Sequence, residues 1–383
     1  MNLQTIVLVV QLALAAGPGV ERGKAVQEEA LRADPDQLVL RLGARSFAVR
    51  RHATAQLIDL GLEAMEALDR GVESDDREIR FRSRYVLEIV REQNFQRRLR
   101  AFAAGVDAPE TYNLPSWSRF AEAVGTGPGS RALFVEMQRA EPELLATLEE
   151  NPSQVGDILN QRVTELQSSR VLDGKRKYPS LGTTTSILFV LNSQDVNLPM
   201  MMTQSIGSFF RYPSFATAIQ DGPQRELLRK MLGTWIETSE GWDAHHAMCL
   251  AMQYNMPVGV RPARRILEGE MKQPNTHFLG YALFTVARFG DTSDYSLVES
   301  FLDDETPYGG TIAVAGKKKI RTQMRDIALA TLVQLAGLNH KEFGFSRYRI
   351  HPHYVFNTSS LAFESDEKRD AAIRKWFEFR QKE

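Results

Sequence analysis

One cysteine, Cys249, stands in a chain of 383 residues. Without a second thiol no internal disulfide can form, so packing alone must stabilise the protein in whatever compartment holds it. Charge of either sign is not in surplus: 47 Lys and Arg against 48 Asp and Glu leave a net charge of -1. That balance removes any global field towards nucleic acid or an anionic membrane and leaves only local patches to supply one. Long apolar runs are missing too. The run over residues 6–16, broken by Gln11, is shorter than the ~20 residues of a membrane span. Catalytic signatures are equally sparse, with no HExxH, no G-x-S-x-G elbow and no phosphate loop; "GTGPGSRALF" has glycines ahead of a helix but neither the lysine nor the preceding strand. The hydrophobic content of 43% excludes disorder as the main state.

The seven histidines are where a metal or a base would be sought. His245 and His246 are adjacent and diverge on a helix. His351 and His353 could converge if "HPH" is extended, with Glu364 and Asp366 near in sequence, but two imidazoles need further ligands. His52 reads as exposed beside the repeat arginines. His245 lies four residues before Cys249 and can touch it, a contact that "AMCLAM" explains as a core thiol with a neighbouring imidazole. The pairs Asp75 with Asp76 and Asp303 with Asp304 fall in helix-start turns, where capping accounts for them. No catalytic residue, metal ligand or cofactor follows from these residues, and the chain is expected not to be an enzyme.

What the sequence does have is repetition. "FAVRRHATAQLIDLG" from Phe47 and "REIRFRSRYVLEIVR" from Arg77 share an apolar-Arg-x-x-small-x-x-x-Leu order. Val49, Arg50, Ala53 and Leu57 answer to Ile79, Arg80, Ser83 and Leu87, and Met324, Arg325, Ala328 and Leu332 form a third copy far downstream. Val49, Ala53, Leu57 and Leu60 recur on one helical face, which predicts burial of that stripe against a neighbour. Ser46 reads as the N-cap and Gly61 as the stop of the first repeat helix; a short helix over 62–68 and a capping-box-like start at Asp75 and Glu78 follow. The spacing from Gly290 to Asp303 and Asp304 echoes that from Gly61 to Asp75 and Asp76 within one residue.

These residues resemble the short, roughly thirty-residue HEAT-like helical repeats of exported bacterial proteins, over residues 38–92 and 277–337. The resemblance implies an all-α fold, an α-solenoid of HEAT or armadillo type, and a scaffold without a prescribed substrate. The expected organisation is a secretion signal over 1–16, N-terminal repeats over 35–92, an irregular helical middle over 93–276, a C-terminal repeat over 277–345, and an aromatic strap with a capping helix over 346–383. Alternation at Ile312 and Val314 predicts a small β-ribbon near 311–324. "TTTSILFVLN" reads as a buried helix, and the methionine run Met200, Met201 and Met202 as gap-filling core. Ser365 caps the last helix, whose stripe is Ala372, Ile373, Trp376 and Phe377.

Two functions follow as expectations, behind which stands a third reading, an enzyme whose site is built from scattered residues of the irregular middle. The first is a non-catalytic scaffold outside the cytoplasm, periplasmic or extracellular, that binds a protein or an extended polymer, with no membrane span in the mature chain. Ala13 and Ala15 offer the small pair for signal cleavage, the alternative being a first core helix or an uncleaved anchor. The second is nucleic-acid binding through the basic stretch from Arg77 to Arg100, with eight arginines and the interleaved Phe81, Tyr85 and Phe95. Its candidate surface is Arg82, Arg84, Arg91, Arg97 and Arg98. The first is preferred because Glu78, Glu88 and Glu92 interrupt the charge, and the arginines are expected to scatter without one stripe, with Arg80 reaching Asp75 or Asp76.

Overall fold

The computed structural model describes residues 34–105, 112–168, 178–193, 206–270, 275–313 and 319–382, together with the backbone of 171–172 and 175–176. The expected signal over 1–16, the methionine run and Val314 lie outside the described residues. The chain is mostly helical and divides into two compact units, 1–112 and 113–383.

The first unit holds α1 (Pro35–Arg41), α2 (Phe47–Leu60), a 3-10 turn (Gly61–Ala64), α3 (Met65–Val72) and α4 (Arg77–Ala104). Gly61 stops α2 at φ 60°, which a side chain would resist. The short helix expected over 62–68 is therefore a 3-10 turn followed by α3. The N-cap of α4 is Asp76 rather than Asp75: its carboxylate accepts the N–H groups of Glu78 and Ile79 at 2.7 and 3.1 Å. α4 runs on past Glu92 to Ala104.

Leu38, Leu42, Ala53, Leu57, Leu68, Val86 and Val90 form the centre of this unit's core, with Ile79 and Leu87 beside them. The small repeat position is where helices approach most closely. A methyl group on Gly71 would collide with Ser83, which is fully buried. One member of the predicted stripe departs: Val49 is 41% exposed, whereas its counterparts Ile79 and Met324 are buried. Ile79 packs beneath the α1–α2 turn, close enough to crowd a Cβ at Gly43. Val49 sits in the first turn of α2, whose only buried residues are Ala53 and Leu57.

The second unit begins with α5 (Trp117–Val124), α6 (Pro128–Ala140), α7 (Pro142–Glu150), α8 (Val155–Ser168), a ribbon of β1 (Val171–Leu172) and β2 (Lys175–Arg176), and α9 (Leu181–Leu191). As expected from its composition, α9 is buried throughout 182–190. Aromatic contacts of 5.2–5.4 Å join Trp117 to Phe134 and Phe120 to both Phe134 and Phe189. Then come α10 (Pro213–Asp221), α11 (Arg225–Thr238), α12 (Gly241–Tyr254), α13 (Val260–Leu267), α14 (Thr276–Phe289), α15 (Tyr295–Glu299), the ribbon β3 (Pro307–Ala313) and β4 (Lys319–Gln323), α16 (Met324–Leu335), the ribbon β5 (Ile350–His351) and β6 (Val355–Phe356), and α17 (Asp366–Arg380).

A local order recurs. α2, α12 and α14 each have 14 residues, and each leads through a 3-10 turn into a shorter helix, α3, α13 or α15. The ribbon expected near 311–324 is present as antiparallel β3–β4, inserted between α15 and α16, with its register broken between Tyr308 and Ile312 by a bulge at Gly309 and Gly310. Met324, Ala328 and Leu332 are fully buried on α16. α17 starts on its Ser365 cap and packs Ala372 and Trp376 into the core around α14 and α16; Ile373 is half-buried, and Phe377, predicted on the same stripe, faces solvent because the apolar face is narrower than its sequence suggests. The buried Asp326–Arg369 pair fastens α17 to α16 at 2.5 and 3.2 Å.

Candidate binding site

His277, Tyr281 and Phe284 fall at i, i+4 and i+7 on α14, which puts all three on one face. Opposite this face stand the bulged end of β3, with Pro307, Tyr308 and Gly309, and the strap segment with His351, Tyr354, Phe356, Asn357 and Thr358. Together with Asn275 and Thr276 these residues enclose a cavity of about 510 Å³, within the size range of small-ligand pockets. The close approach of α14 and the ribbon requires glycine: a methyl group on Gly280 would collide with the Tyr308 ring.

The walls are aromatic. His277 stacks parallel to Tyr308 with centroids 6.1 Å apart and meets Tyr281 edge-on at 4.7 Å. Tyr281 meets Tyr354 at 5.3 Å, and Tyr354 stacks on His351 at 4.8 Å. Phe284 and Phe356 close the floor and are almost fully buried. Burial pushes the Tyr281 phenol far above its ordinary range, and its hydrogen bond to Tyr354 adds to this. Burial does the same to Tyr308. Both hydroxyls are therefore neutral and can donate as well as accept a hydrogen bond. Val355, between two wall residues, is held at φ 65°, a conformation that costs a β-branched residue about 1–3 kcal/mol and persists where the surroundings over-determine it.

Behind this wall, His245 stacks on Phe278 at 4.8 Å and touches Tyr281 at 4.7 Å. Burial first, then the neighbouring His246, His277 and Arg211, hold its imidazole down at about 4. Cys249 Sγ lies 3.9 Å from His245 Nε2, so the pair that sequence spacing allows is formed. Burial pushes that thiol up to about 11 against the pull of Arg211. At neutral pH it is a thiol beside a neutral imidazole, which is the core-cysteine reading and not an activated nucleophile.

His351 and His353 do come near each other, at 6.1 Å between ring centroids, but His351 Nδ1 accepts the backbone N–H groups of His353 and Tyr354. Glu364 is held by Lys368, and Asp366 by Arg325 and Arg369. Among the described residues no group of three or more His, Cys, Asp or Glu side chains is placed to hold a metal ion. His52 is exposed on α2.

Because α4 is continuous, Arg77, Arg84, Arg91 and Arg98 recur every seven residues and share one side of it over roughly 32 Å, at 1.5 Å per residue. Exposed Glu88, four residues after Arg84 and three before Arg91, stands on that side and interrupts the line. Arg77 and Arg84 are exposed, with Phe81 69% exposed near them. Arg91 pairs with Asp69 at 3.2 Å, and Arg98 lies over the Phe95 ring. Arg82 belongs to another side, paired with Glu78 at 2.7 Å; Arg97 is exposed. Arg80 does not reach a carboxylate. It donates to the backbone carbonyls of Ser74 and Asp75 at 2.5 and 3.0 Å, and Arg50 donates to those of Ala44 and Arg45 at 2.7 and 3.0 Å. The third repeat arginine, Arg325, bonds instead to Gln323, Glu305 and Asp366.

No protein-family model matches the chain, and no curated protein matches it either. Among the described residues no helix is long and apolar enough to cross a membrane. The cavity residues His277, Tyr281, Tyr308 and Tyr354 escaped the sequence reading. The i, i+4, i+7 spacing of His277, Tyr281 and Phe284 was the available signal, and it read equally as a core stripe.

Proposed function

We propose that the chain is a non-catalytic scaffold of short HEAT-like helical repeats, exported from the cytoplasm, that binds a protein or an extended polymer. The observation that carries the repeat reading is the equivalence of Arg50 and Arg80. Each guanidinium reaches back six and five residues to the two carbonyls that precede its helix. Each thereby satisfies the turn that joins one helical unit to the next. Arg50 also pairs with Glu78 of α4, the helix that carries the second repeat copy, at 3.3 Å. Further along, Arg264 of α13 forms a two-pronged pair with Asp294 in the turn after α14, at 2.7 and 3.0 Å. Such side-to-side pairs between successive helical units suit an α-solenoid, whose units bury their faces only by stacking. The aromatic cavity supports binding, since a ribbon and a strap outside the repeated helices complete it against one face of α14.

Affinity capture from the native host, with the intact mass of the mature protein measured alongside, tests the proposal. Loss of the first ~15–23 residues and stoichiometric retention of one protein or polymer are expected. A full-length cytoplasmic chain that retains nothing would refute it. One observation favours a second reading, in which the heptad line of arginines on α4 follows a nucleic-acid backbone. Tight retention of duplex or single-stranded probes at ~50 mM salt, lost steeply at ~200 mM, would establish that alternative.

A further inference from the structure

We infer that the cavity between α14, the β3–β4 ribbon and the strap binds a proline-rich peptide segment in the polyproline II conformation. The inference rests on the protein-binding reading above and names the class of partner.

The first observation is the character of the lining. Among the described residues none that lines the cavity is Asp, Glu, Lys or Arg, so these residues offer neither an ionic peptide nor a phosphate a counter-charge. The electron-rich faces of Tyr281, Tyr308 and Tyr354 further disfavour an anion. The second observation is a bias in hydrogen-bonding capacity. Asn275 Oδ1 accepts the His277 N–H at 2.8 Å, capping α14. Asn357 Oδ1 accepts from the Ser359 N–H at 3.2 Å and from the Ser359 hydroxyl at 2.8 Å. His351 Nδ1 accepts two backbone N–H groups at 3.2 Å each, which places its proton on Nε2. In all three residues the acceptor atom is engaged by the protein's own backbone turns. Their uncommitted hydrogens are those of two amide NH₂ groups and one imidazole N–H.

A ligand suited to these three residues is uncharged, supplies acceptors to their N–H groups, and is flat-sided enough to lie on tyrosine rings. Proline-rich segments have this chemistry. Each residue supplies a carbonyl, proline supplies no N–H, the pyrrolidine rings present apolar faces, and the preformed helix loses little entropy on docking in an aromatic-lined groove. A sugar could also lie on tyrosine rings and donate to the hydroxyls of Thr276, Tyr308 and Thr358, so maltohexaose is the control that separates the two chemistries.

The test uses the full chain and a capped decaproline peptide in isothermal titration calorimetry, with maltohexaose and capped deca-glutamate as competitors of other chemistry. Saturable decaproline binding at micromolar to sub-millimolar concentration is expected, with neither competitor binding. Asn275→Asp and Asn357→Asp keep the capping oxygen and delete the NH₂ donor. Each should weaken decaproline binding about fivefold while the melting temperature stays unchanged. Tyr354→Leu should weaken it tenfold or more. Absence of decaproline binding, equal binding of maltohexaose, or unchanged affinity in both Asp variants overturns the inference. If the chain still captures a host protein while ignoring decaproline, the ligand class is wrong and the scaffold stands; if it captures neither, both fall.

Discussion

Replacing Arg369 with methionine should unfasten the last helix. The guanidinium is 4% exposed and makes two bonds to Asp326, which is itself fully buried at the first turn of α16. Asp326 also caps that helix by accepting the Gln323 N–H at 2.9 Å. Methionine fills similar volume but leaves the carboxylate without its cation. Loss of one partner from a buried pair costs about 3–5 kcal/mol, because the remaining charge stays desolvated. The lost contact to Asp366 adds little, since that carboxylate is exposed. For a unit of this size the melting temperature should fall by roughly 6–20 °C. The control Arg374→Met, on the exposed side of α17, should stay within about 0.5 kcal/mol of the parent. Denaturant unfolding of the parent, Arg369→Met, Asp326→Asn and the double variant closes a cycle. Asparagine retains an oxygen for the cap without the charge, so the double variant should recover about half of the single variant's loss. A cost below about 1 kcal/mol for Arg369→Met would refute the reasoning, because it would mean that Asp326 reaches water and that α17 is not docked on it.

Three further outcomes follow from the packing. Ser83 is buried with its hydroxyl unpaired, so Ser83→Ala should stabilise the first unit by about 1 kcal/mol in a denaturant titration; a loss would show that the hydroxyl has a partner. Ala328→Phe at the same repeat position, fully buried on α16, should overpack and cost about 1–3 kcal/mol by thermal melting, and a neutral result would place Ala328 away from a helix contact. Acid should weaken the second unit through its histidines. Burial lowers His245 to about 4 and also depresses His246, His277 and His340. The unfolded chain takes up these protons near pH 6.5 and the folded chain only lower down. Stability is therefore complete above about pH 6.5 and is lost as pH falls towards 4. For His245 the bound of about 3 kcal/mol shrinks to roughly 1–2 once its remaining water access is discounted. A His245→Phe variant should flatten that slope, and an unchanged slope would put the titration elsewhere.

The helical fold was legible because its signals are local. Ser46, Gly61 and Ser365 bound their helices at the expected positions, Ser365 by accepting the Lys368 N–H and Ser46 without a side-chain cap bond, and the alternation around Ile312 located the ribbon. Val49 and Phe377 were misplaced for a common reason: a helical stripe states which residues share a face, while the neighbour that covers it is set by the fold. The arginine line on α4 was hidden differently. Its seven-residue spacing matters only if the helix continues to Ala104, and the sequence reading had ended the repeat at residue 92.

The cavity was illegible for a reason that also bears on what the molecule does. At the repeat positions, Leu57, Leu87, Ala328 and Leu332 are consumed by helix packing, so the repeats that make this sequence recognisable have nothing left at those positions to offer a partner. The offered groups lie where the pattern is interrupted: the bulge at Gly309, the strained turn at Val355, and the caps at Asn275 and Asn357. Loops and insertions held on a rigid helical frame are where binding residues tend to collect. Here each cap has a second consequence, because the oxygen that ends a helix or a turn fixes which way its amide faces. Local backbone chemistry thus determines the hydrogen-bonding character of the cavity, and a repeat-based reading passes over the residues that set it.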